Sequence, residues 1–374
     1  MRIAFVSSFT GGPWSGCEEL WTGTALRLLE GSHQVSACVK YWPEPSSRML
    51  EIRESGVELS TWREDSDQSL FYKIWREIGK RAPAEHRRLV QFRPDLVVIS
   101  QGSHTDGLPW MQFCRAAGLP YVAISHCNSE IWWIGDGAAA PLAEGYLGAR
   151  KACCHSRHNL ELLEWQIGGP LPNAMLVWAP FKAPKTLPAW PREDVMRIAC
   201  VTGIDPSYSG HDLLMHLMAI PKWRERPLEL NIYGGTAPYS EILLRMTLKL
   251  GLKNVRFLGE VADVNSAWKN NHLLILPSRV EGMPVSLVEA MMNARPAVVT
   301  DVGGNKELVV DGETGFVARA PTVELLDEAM ERAWGQRDKW ETMGKAALAR
   351  IQKLAPADPV GDFCRLLEES VSQK

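Results

Sequence analysis

The sequence predicts an α/β protein made of two Rossmann-like, doubly wound domains. Three observations predict it. Short apolar runs alternate with helical patterns along the whole chain, prolines 180, 184, 188 and 191 break that alternation near the middle, and 374 residues suit two domains.

In the first half, strands are expected from Ile3 to Ser7, Gln34 to Val39, Val57 to Ser60, Leu96 to Ser100, Tyr121 to Ser125 and Met175 to Trp178, with helices between most of them. Residues 1–182 therefore read as one domain. The proline cluster makes 183–194 a stiff, extended linker. Strand signals resume from Arg197 to Thr202, Leu228 to Tyr233, Val255 to Leu258, Leu273 to Leu276 and Ala297 to Thr300, so 195–350 reads as a second domain. Residues 351–374 read as a C-terminal helix packing back on the first domain.

Composition narrows the function. With 45% hydrophobic and 23% charged residues the chain can bury large cores, and a net charge of −3 argues against a dedicated nucleic-acid binder. There is no apolar run of membrane-spanning length, and Met1-Arg2-Ile3 leads straight into a strand, so a cytoplasmic protein is expected. The eight cysteines are scattered without a Cys-x-x-Cys pair, which fits reduced thiols. Cys153, Cys154, His155 and His158 form the only metal-like cluster. Adjacent strand residues point to opposite faces and no second ligand pair follows at zinc spacing, so no metal is expected.

Residues 276–315 carry the most chemistry. A strand ending at Leu276 is followed by Glu281, a turn through Gly282, Met283, Pro284 and Val285, and a helix that contains Glu289. Pro284 suits a helix start, and Ser286 with Glu289 three residues later has the spacing of a capping box. Glu289 thus reads either as a helix cap or as a ligand contact. Glu281 has no cap to make. The helix N-terminus lies past a strand's carboxyl end, where open α/β sheets bind ligands and where a phosphate is favoured.

This segment, with Gly303, Gly304 and Glu307 after it, resembles the donor site of glycosyltransferase family 4, retaining enzymes of GT-B architecture in which two Rossmann-like domains face a cleft. The resemblance implies that Glu281 bonds hydroxyls of the donated sugar and Glu289 those of the ribose. It also implies that His126, at the end of the fifth strand, positions the sugar or stabilises its developing charge. Glu281 and His126 are the catalytic candidates. Gly16, Gly203, Ser209, Gly234, Gly259, Arg279, Gly282, Met283, Pro284, Val285 and Glu289 are the candidate contacts of a UDP- or GDP-linked sugar. The first domain would then take the acceptor, a glycan, a lipid-linked or a small molecule, with Asn128, Ser129, Glu130, Trp132 and Trp133 on its side.

Two departures stand out. Family members carry an arginine and a lysine on the diphosphate where this chain has Ile204 or Asp205, and Ser209. At roughly 1.5–3 kcal/mol for each charge-assisted bond, losing both weakens donor binding by about two to four powers of ten. Arg279 is the nearest substitute, or else an exposed strand-end charge. Pro284 also removes one backbone N–H from the turn.

The resemblance implies retention without a metal, the acceptor attacking from the face the nucleotide leaves and a donor phosphate oxygen taking its proton. No general base is needed. A catalytically silent GT-B subunit and an epimerase or phosphorylase on the same fold are the alternatives. Residues 71–93, with Lys73, Arg76, Lys80, Arg81, Arg87, Arg88 and Arg93 interleaved with Phe71, Ile74, Trp75 and Ile78, read either as a solvated helix face or as a peripheral contact with an anionic membrane.

Overall fold

A computed structural model describes residues 1–63, 83–235 and 239–372. The chain divides into two compact units, Met1–Pro180 with Ala357–Lys374, and Phe181–Pro356.

The first unit is a seven-stranded sheet of β1 (Arg2–Ser7), β2 (Gln34–Lys40), β3 (Glu58–Trp62), β4 (Leu96–Ser103), β5 (Tyr121–Cys127), β6 (Lys151–Cys154) and β7 (Ala174–Leu176). Their order is β3-β2-β1-β4-β5-β6-β7, and every pairing is parallel. Alternation along the strands explains why they read as unbroken apolar runs. Ile3 and Phe5 of β1 join one core with Leu96 and Val98 of β4, while Ala4 and Val6 join Val97 and Ile99 in a second core on the other face. A parallel sheet covered on both sides leaves no polar face to alternate with.

The second unit has six parallel strands, β8 (Met196–Val201), β9 (Leu228–Tyr233), β10 (Val255–Gly259), β11 (Leu273–Leu276), β12 (Ala297–Thr300) and β13 (Gly315–Ala318), in the order β10-β9-β8-β11-β12-β13. β13 was not expected. It is four residues long, and its Gly315 lies so close to β12 that a side-chain carbon there would meet the Ala297 carbonyl oxygen at 2.2 Å. In both sheets the order reverses beside the first strand, between β1 and β4 and between β8 and β11. That is where doubly wound sheets open a crevice at their carboxyl ends.

The proline-rich stretch is irregular but docked, unlike a free linker. Arg295, buried to 1% exposure, bonds the carbonyls of Asn271, Asn293, Trp268 and Ala189, and its guanidinium lies 5.0 Å from the Trp190 ring. A buried guanidinium must satisfy its N–H groups, and Ala189 supplies an acceptor. Burial pushes the Arg295 pKa down to about 10.

The C-terminal residues are not one helix either. A helix Trp340–Leu354 ends at extended Ala355, and a second helix Pro359–Ser372 follows in the first unit. Its Phe363 and Leu367 share a core with Leu20 and Trp21 of the helix Gly16–Glu30, and Arg27 pairs with Asp358. Burying each such apolar side chain contributes about 1.5–3 kcal/mol, which ties this helix firmly to the first unit.

Of the basic segment 71–93, residues 71–82, including Lys80 and Arg81, lie outside the described residues. The helix Ala84–Phe92 buries Leu89 and Phe92 and exposes Arg87 and Arg88. Among the described residues no helix is long and apolar enough to cross a membrane.

Candidate active site

The carboxyl ends of the second sheet gather most of the candidate residues. After β8 the loop Thr202–Gly210 carries Gly203 and Ser209, and the Ser209 hydroxyl lies 3.1 Å from the Gly203 carbonyl and 3.2 Å from the Thr202 hydroxyl. Gly234 follows β9 and donates its N–H to the carbonyl of Gly259, the last residue of β10, at 3.0 Å. After β11 come Arg279, Glu281 and the turn Gly282–Val285, and after β12 come Gly303 and Gly304.

These loops are bonded to one another. Arg279 and Val280 donate their backbone N–H groups to the Tyr208 carbonyl at 2.7 and 3.2 Å. Gly210 has φ +69°, and a side-chain carbon there would fall 2.2 Å from the Pro277 carbonyl oxygen. Gly303 has φ +53°, and a side-chain carbon there would fall 2.4 Å from the Glu281 carbonyl oxygen, while Gly304 N–H donates to the Gly282 carbonyl at 2.7 Å. Glycine is therefore required twice, for a left-handed backbone and for close approach. The Gly-Gly pair packs directly on the Glu281–Gly282 backbone.

Glu281 sits in this frame with Oε1 accepting from Ser278 Oγ at 2.7 Å, and the Ser278 carbonyl in turn accepts from Thr300 Oγ1 at 2.7 Å. Surrounding protein pushes the Glu281 pKa up to about 7 against the opposing pull of Ser278. Ser278 and Thr300 thus orient the carboxyl.

The capping box does not form. The helix Val285–Met292 has Pro284 at its N-cap with no side-chain cap bond, so Ser286 and Glu289 lie inside it. The fixed φ of proline starts the helix at Val285, two positions ahead of the Leu287 start that a Ser286 cap would give. Glu289 is 7% exposed and Oε1 accepts from the backbone N–H of Lys182 at 2.9 Å. Burial raises its pKa to about 7, only partly offset by Lys182. A buried carboxylate that caps nothing and meets one backbone N–H is costly to the fold, and such costs concentrate at binding sites.

Arg279 is engaged. Nη1 reaches Asp212 Oδ1 and the Pro206 carbonyl, both at 2.6 Å, and Nη2 reaches Asp212 Oδ2 at 2.8 Å. It clamps the β8 loop to the β11 loop, and the expectation of a phosphate-binding cation meets a guanidinium already paired. Sequence reasoning missed Asp212 as its partner, and the 67-residue separation carries no local signal. The first turn of the helix Val285–Met292 remains as the anion-attracting element, since the first N–H groups of a helix have no intrahelical acceptor.

In the first unit Gly16 opens the helix Gly16–Glu30, where the Ser15 hydroxyl accepts from Cys17 N–H at 3.2 Å. His126 lies at the end of β5, 7% exposed, in a chain of hydrogen bonds that fixes its tautomer. His155 Nδ1 is 2.8 Å from the Val177 carbonyl, His155 Nε2 is 2.8 Å from His126 Nδ1, and His126 Nε2 is 3.0 Å from Ser100 Oγ. Burial lowers the pKa of His155 to about 4, and burial with the neighbouring His155 lowers that of His126, so both rings are neutral near pH 7. A carbonyl only accepts, so His155 carries its proton on Nδ1 and accepts at Nε2. His126 must then donate from Nδ1 and accept the Ser100 proton at Nε2. Both nitrogens of His126 are occupied, and a sugar contact from its ring requires exchange of the Ser100 bond.

The remaining members of the Cys-His cluster are dispersed. Cys153 and Cys154 enter cores on opposite faces of the sheet, and His158 pairs with Glu130 at 2.7 Å. Among the described residues no group of His, Cys, Asp or Glu is placed to hold a metal ion. Asn128 and Ser129 are buried, and Asn128 Nδ2 donates to Gln166 at 2.6 Å, while Trp133 is 61% exposed.

Two parallel-sheet, Rossmann-like units are the fold of the GT-B glycosyltransferases. Residues 196–336 match the family model of glycosyl transferases group 1. The chain is 27% identical over 183 residues to the D-rhamnosyltransferase WbpZ of Pseudomonas aeruginosa, covering 48% of this chain and 46% of that protein. It is 40% identical over 76 residues to the lipopolysaccharide core biosynthesis mannosyltransferase LpcC of Rhizobium leguminosarum bv. viciae, covering 20% of this chain and 22% of that protein. The match spans less than half the length of each of these curated relatives. Among solved structures, Anabaena Alr3699/HepE in complex with UDP and glucose aligns over 100% of both chains with a TM-score of 0.76 at 16% identity. The lipopolysaccharide outer core galactosyltransferase WaaB aligns over 99% of both with a TM-score of 0.69 at 16% identity.

Proposed function

We propose that this chain is a retaining, metal-independent glycosyltransferase that moves a sugar from a nucleoside-diphosphate donor to a hydroxyl of a growing surface glycan or glycolipid. The observation that carries the proposal is the Glu281–Glu289 turn at the β8/β11 switch point. Two carboxyls with raised pKa lie beside a helix N-terminus, on a backbone held by Gly303 and Gly304. Glu281 orients the sugar and Glu289 takes the ribose hydroxyls. The diphosphate lies against the start of the helix Val285–Met292.

Such a site works by positioning and by stabilising charge as the sugar–phosphate bond breaks, the larger share of catalysis in transfers that need no protein base. The first unit takes the acceptor, with His126 as a positioning residue. The relatives support glycan synthesis as the setting, since they are named for rhamnosyl and mannosyl transfer. HepE has been solved with UDP-glucose, which makes that the first donor to try.

The test is a panel of UDP-, GDP- and ADP-sugars, scored for hydrolysis or transfer in EDTA, with the product anomer read by NMR. A retained anomer from one donor is expected. Inversion, or dependence on added metal, would overturn the mechanism. The pairing of Arg279 with Asp212, with Ile204 and Ser209 in place of cations, favours one second reading, a silent sugar-binding subunit. Donor binding without turnover across the panel would establish it.

A further inference from the structure

The chain passes from the first unit to the second between Pro180 and Phe181. Val177 is its last hydrogen-bonded residue before that point, with its N–H donating to the Cys154 carbonyl at 3.0 Å and its carbonyl accepting from His155 Nδ1 at 2.8 Å. Lys182 is the first after it, through the N–H that Glu289 Oε1 accepts at 2.9 Å. Among the described residues, 178–181 make no hydrogen bond.

Each anchor therefore belongs to a candidate site. His155 fixes the tautomer of His126 in the first unit, and Glu289 stands on the helix Val285–Met292 in the second. The span between the anchors is short and stiff. Val177 and Lys182 cannot separate by more than about 18 Å even when fully extended, and Pro180 fixes its own φ while disfavouring helical backbone at Ala179. A change at one anchor is carried to the other and not absorbed in slack.

Glu289 can supply such a change. Its carboxyl, with a pKa raised by burial to about 7, titrates near neutral pH, and among the described residues Oε2 has no donor. A ligand hydroxyl that donates to it favours the charged form. A carboxylate in turn accepts a hydrogen bond about twice as strongly as a neutral group. Occupancy of Glu289 thus alters the bond to Lys182.

We propose that residues 178–181 couple the two candidate sites, ribose hydroxyls on Glu289 strengthening its hold on Lys182 N–H and the tightened span steadying Val177, His155 and through them His126. The coupling rests on the function proposed above, in which Glu289 takes the ribose and His126 positions the sugar. It makes the histidine of the first unit respond to nucleotide in the second. Lys182 and His155 are positioning residues, since neither has to touch the substrate.

The test follows Lys182 by ¹⁵N-lysine and His155 by ¹⁵N-histidine labelling of the full chain, with uridine, UDP or inorganic pyrophosphate added. Uridine and UDP are expected to slow exchange of the Lys182 amide by roughly tenfold or more and to shift the His155 Nδ1 resonance. Pyrophosphate alone should do neither. Glu289→Gln, read at saturating UDP, should lose both responses because its amide cannot change charge. Lys182→Pro removes the N–H and should lose the His155 shift while UDP still binds. If that variant fails to fold, Glu289→Gln decides alone. Uridine binding with the Lys182 amide unmoved, a protected Lys182 with His155 unmoved, the same responses to pyrophosphate, or a His155 shift that survives in either variant would overturn the coupling and leave the donor site standing. No binding of uridine or UDP would remove the donor site, and the coupling with it.

Discussion

The Arg279 guanidinium grips the Asp212 carboxylate through two hydrogen bonds of 2.6 and 2.8 Å, joining the loop after β11 to the first turn of the helix His211–Ala219. Burial pulls the Asp212 pKa upward, but bonding and charge from Arg279 outweigh it and leave the carboxyl below its ordinary value. A planar fork on a carboxylate is a strong, directional contact. Two residues before Glu281, Arg279 braces the loop that carries that carboxyl.

Arg279→Ala and Asp212→Ala are therefore each expected to weaken UDP and uridine by a similar factor, because both ligands need the same loop geometry. A double-mutant cycle on thermal stability should give a coupling of about 1 kcal/mol, as suits a pair whose side chains are 28% and 32% exposed. A loss confined to UDP, with uridine unaffected, would show that Arg279 turns to the phosphates instead.

The proposed site, with Arg279 paired to Asp212, places the diphosphate against a helix start, so donor binding should be weak and nearly indifferent to salt. Backbone N–H groups at a helix start carry only partial charge. Titration of UDP at increasing ionic strength is expected to change affinity by less than threefold between about 50 and 500 mM, a range over which exposed charge pairs are progressively screened. A steep decline would reveal a cation that this account omits.

Glu281→Ala should lower the turnover of transfer at least a hundredfold with little change in melting temperature. A hydrogen bond to the reacting sugar acts mainly in the transition state, so the loss falls on turnover more than on donor affinity. Wild-type turnover in a folded variant would remove Glu281 from the site.

Glu289→Gln should stabilise the protein at pH 8 while weakening the nucleotide. Its pKa rises from 4.5 unfolded to about 7 folded, so between these values the folded chain binds more protons. This carboxyl therefore lowers stability as pH climbs through that window, by on the order of 3 kcal/mol above pH 7. Glutamine keeps the acceptor for Lys182 N–H and removes the buried charge. Thermal melts at pH 5 and pH 8 should converge in the variant relative to the wild type.

The two histidines have the opposite sign. Their folded pKa values lie below the unfolded 6.5, so the stability of a neutral pair is present above pH 6.5 and is lost as pH falls, for His155 toward about 4. At pH 7, ¹⁵N NMR is expected to show both rings as Nδ1–H tautomers. His155→Phe should leave the His126 donor without a partner and cost about 1–3 kcal/mol. An Nε2–H tautomer for His126 would contradict the hydrogen-bond chain.

Much of this architecture was legible in the sequence because it is local. Leu273 to Leu276, Ala297 to Thr300 and the other apolar runs were readable as buried strands, since a parallel sheet covered on both faces selects for unbroken apolar residues. β13 escaped notice because, unlike the wholly apolar Leu273 to Leu276, it opens on a glycine and holds only Phe316 and Val317 as strong strand formers. The capping box was misread for a related reason. Ser286 and Glu289 had the right spacing, but Pro284 had already started the helix.

By itself the sequence determined the two α/β units, the strand end that bears Glu281 and the helix that bears Glu289, because period and turn chemistry act over a few residues. Tertiary structure alone decided the partners. Arg279 meets Asp212 across 67 residues, His126 meets His155 across 29 and Glu289 meets Lys182 across 107. Such pairs follow from which strands lie side by side. A parallel sheet sets that order through crossovers that leave no mark in the short-range pattern, so the roles of these charged and polar groups emerge only once the sheet has closed around them.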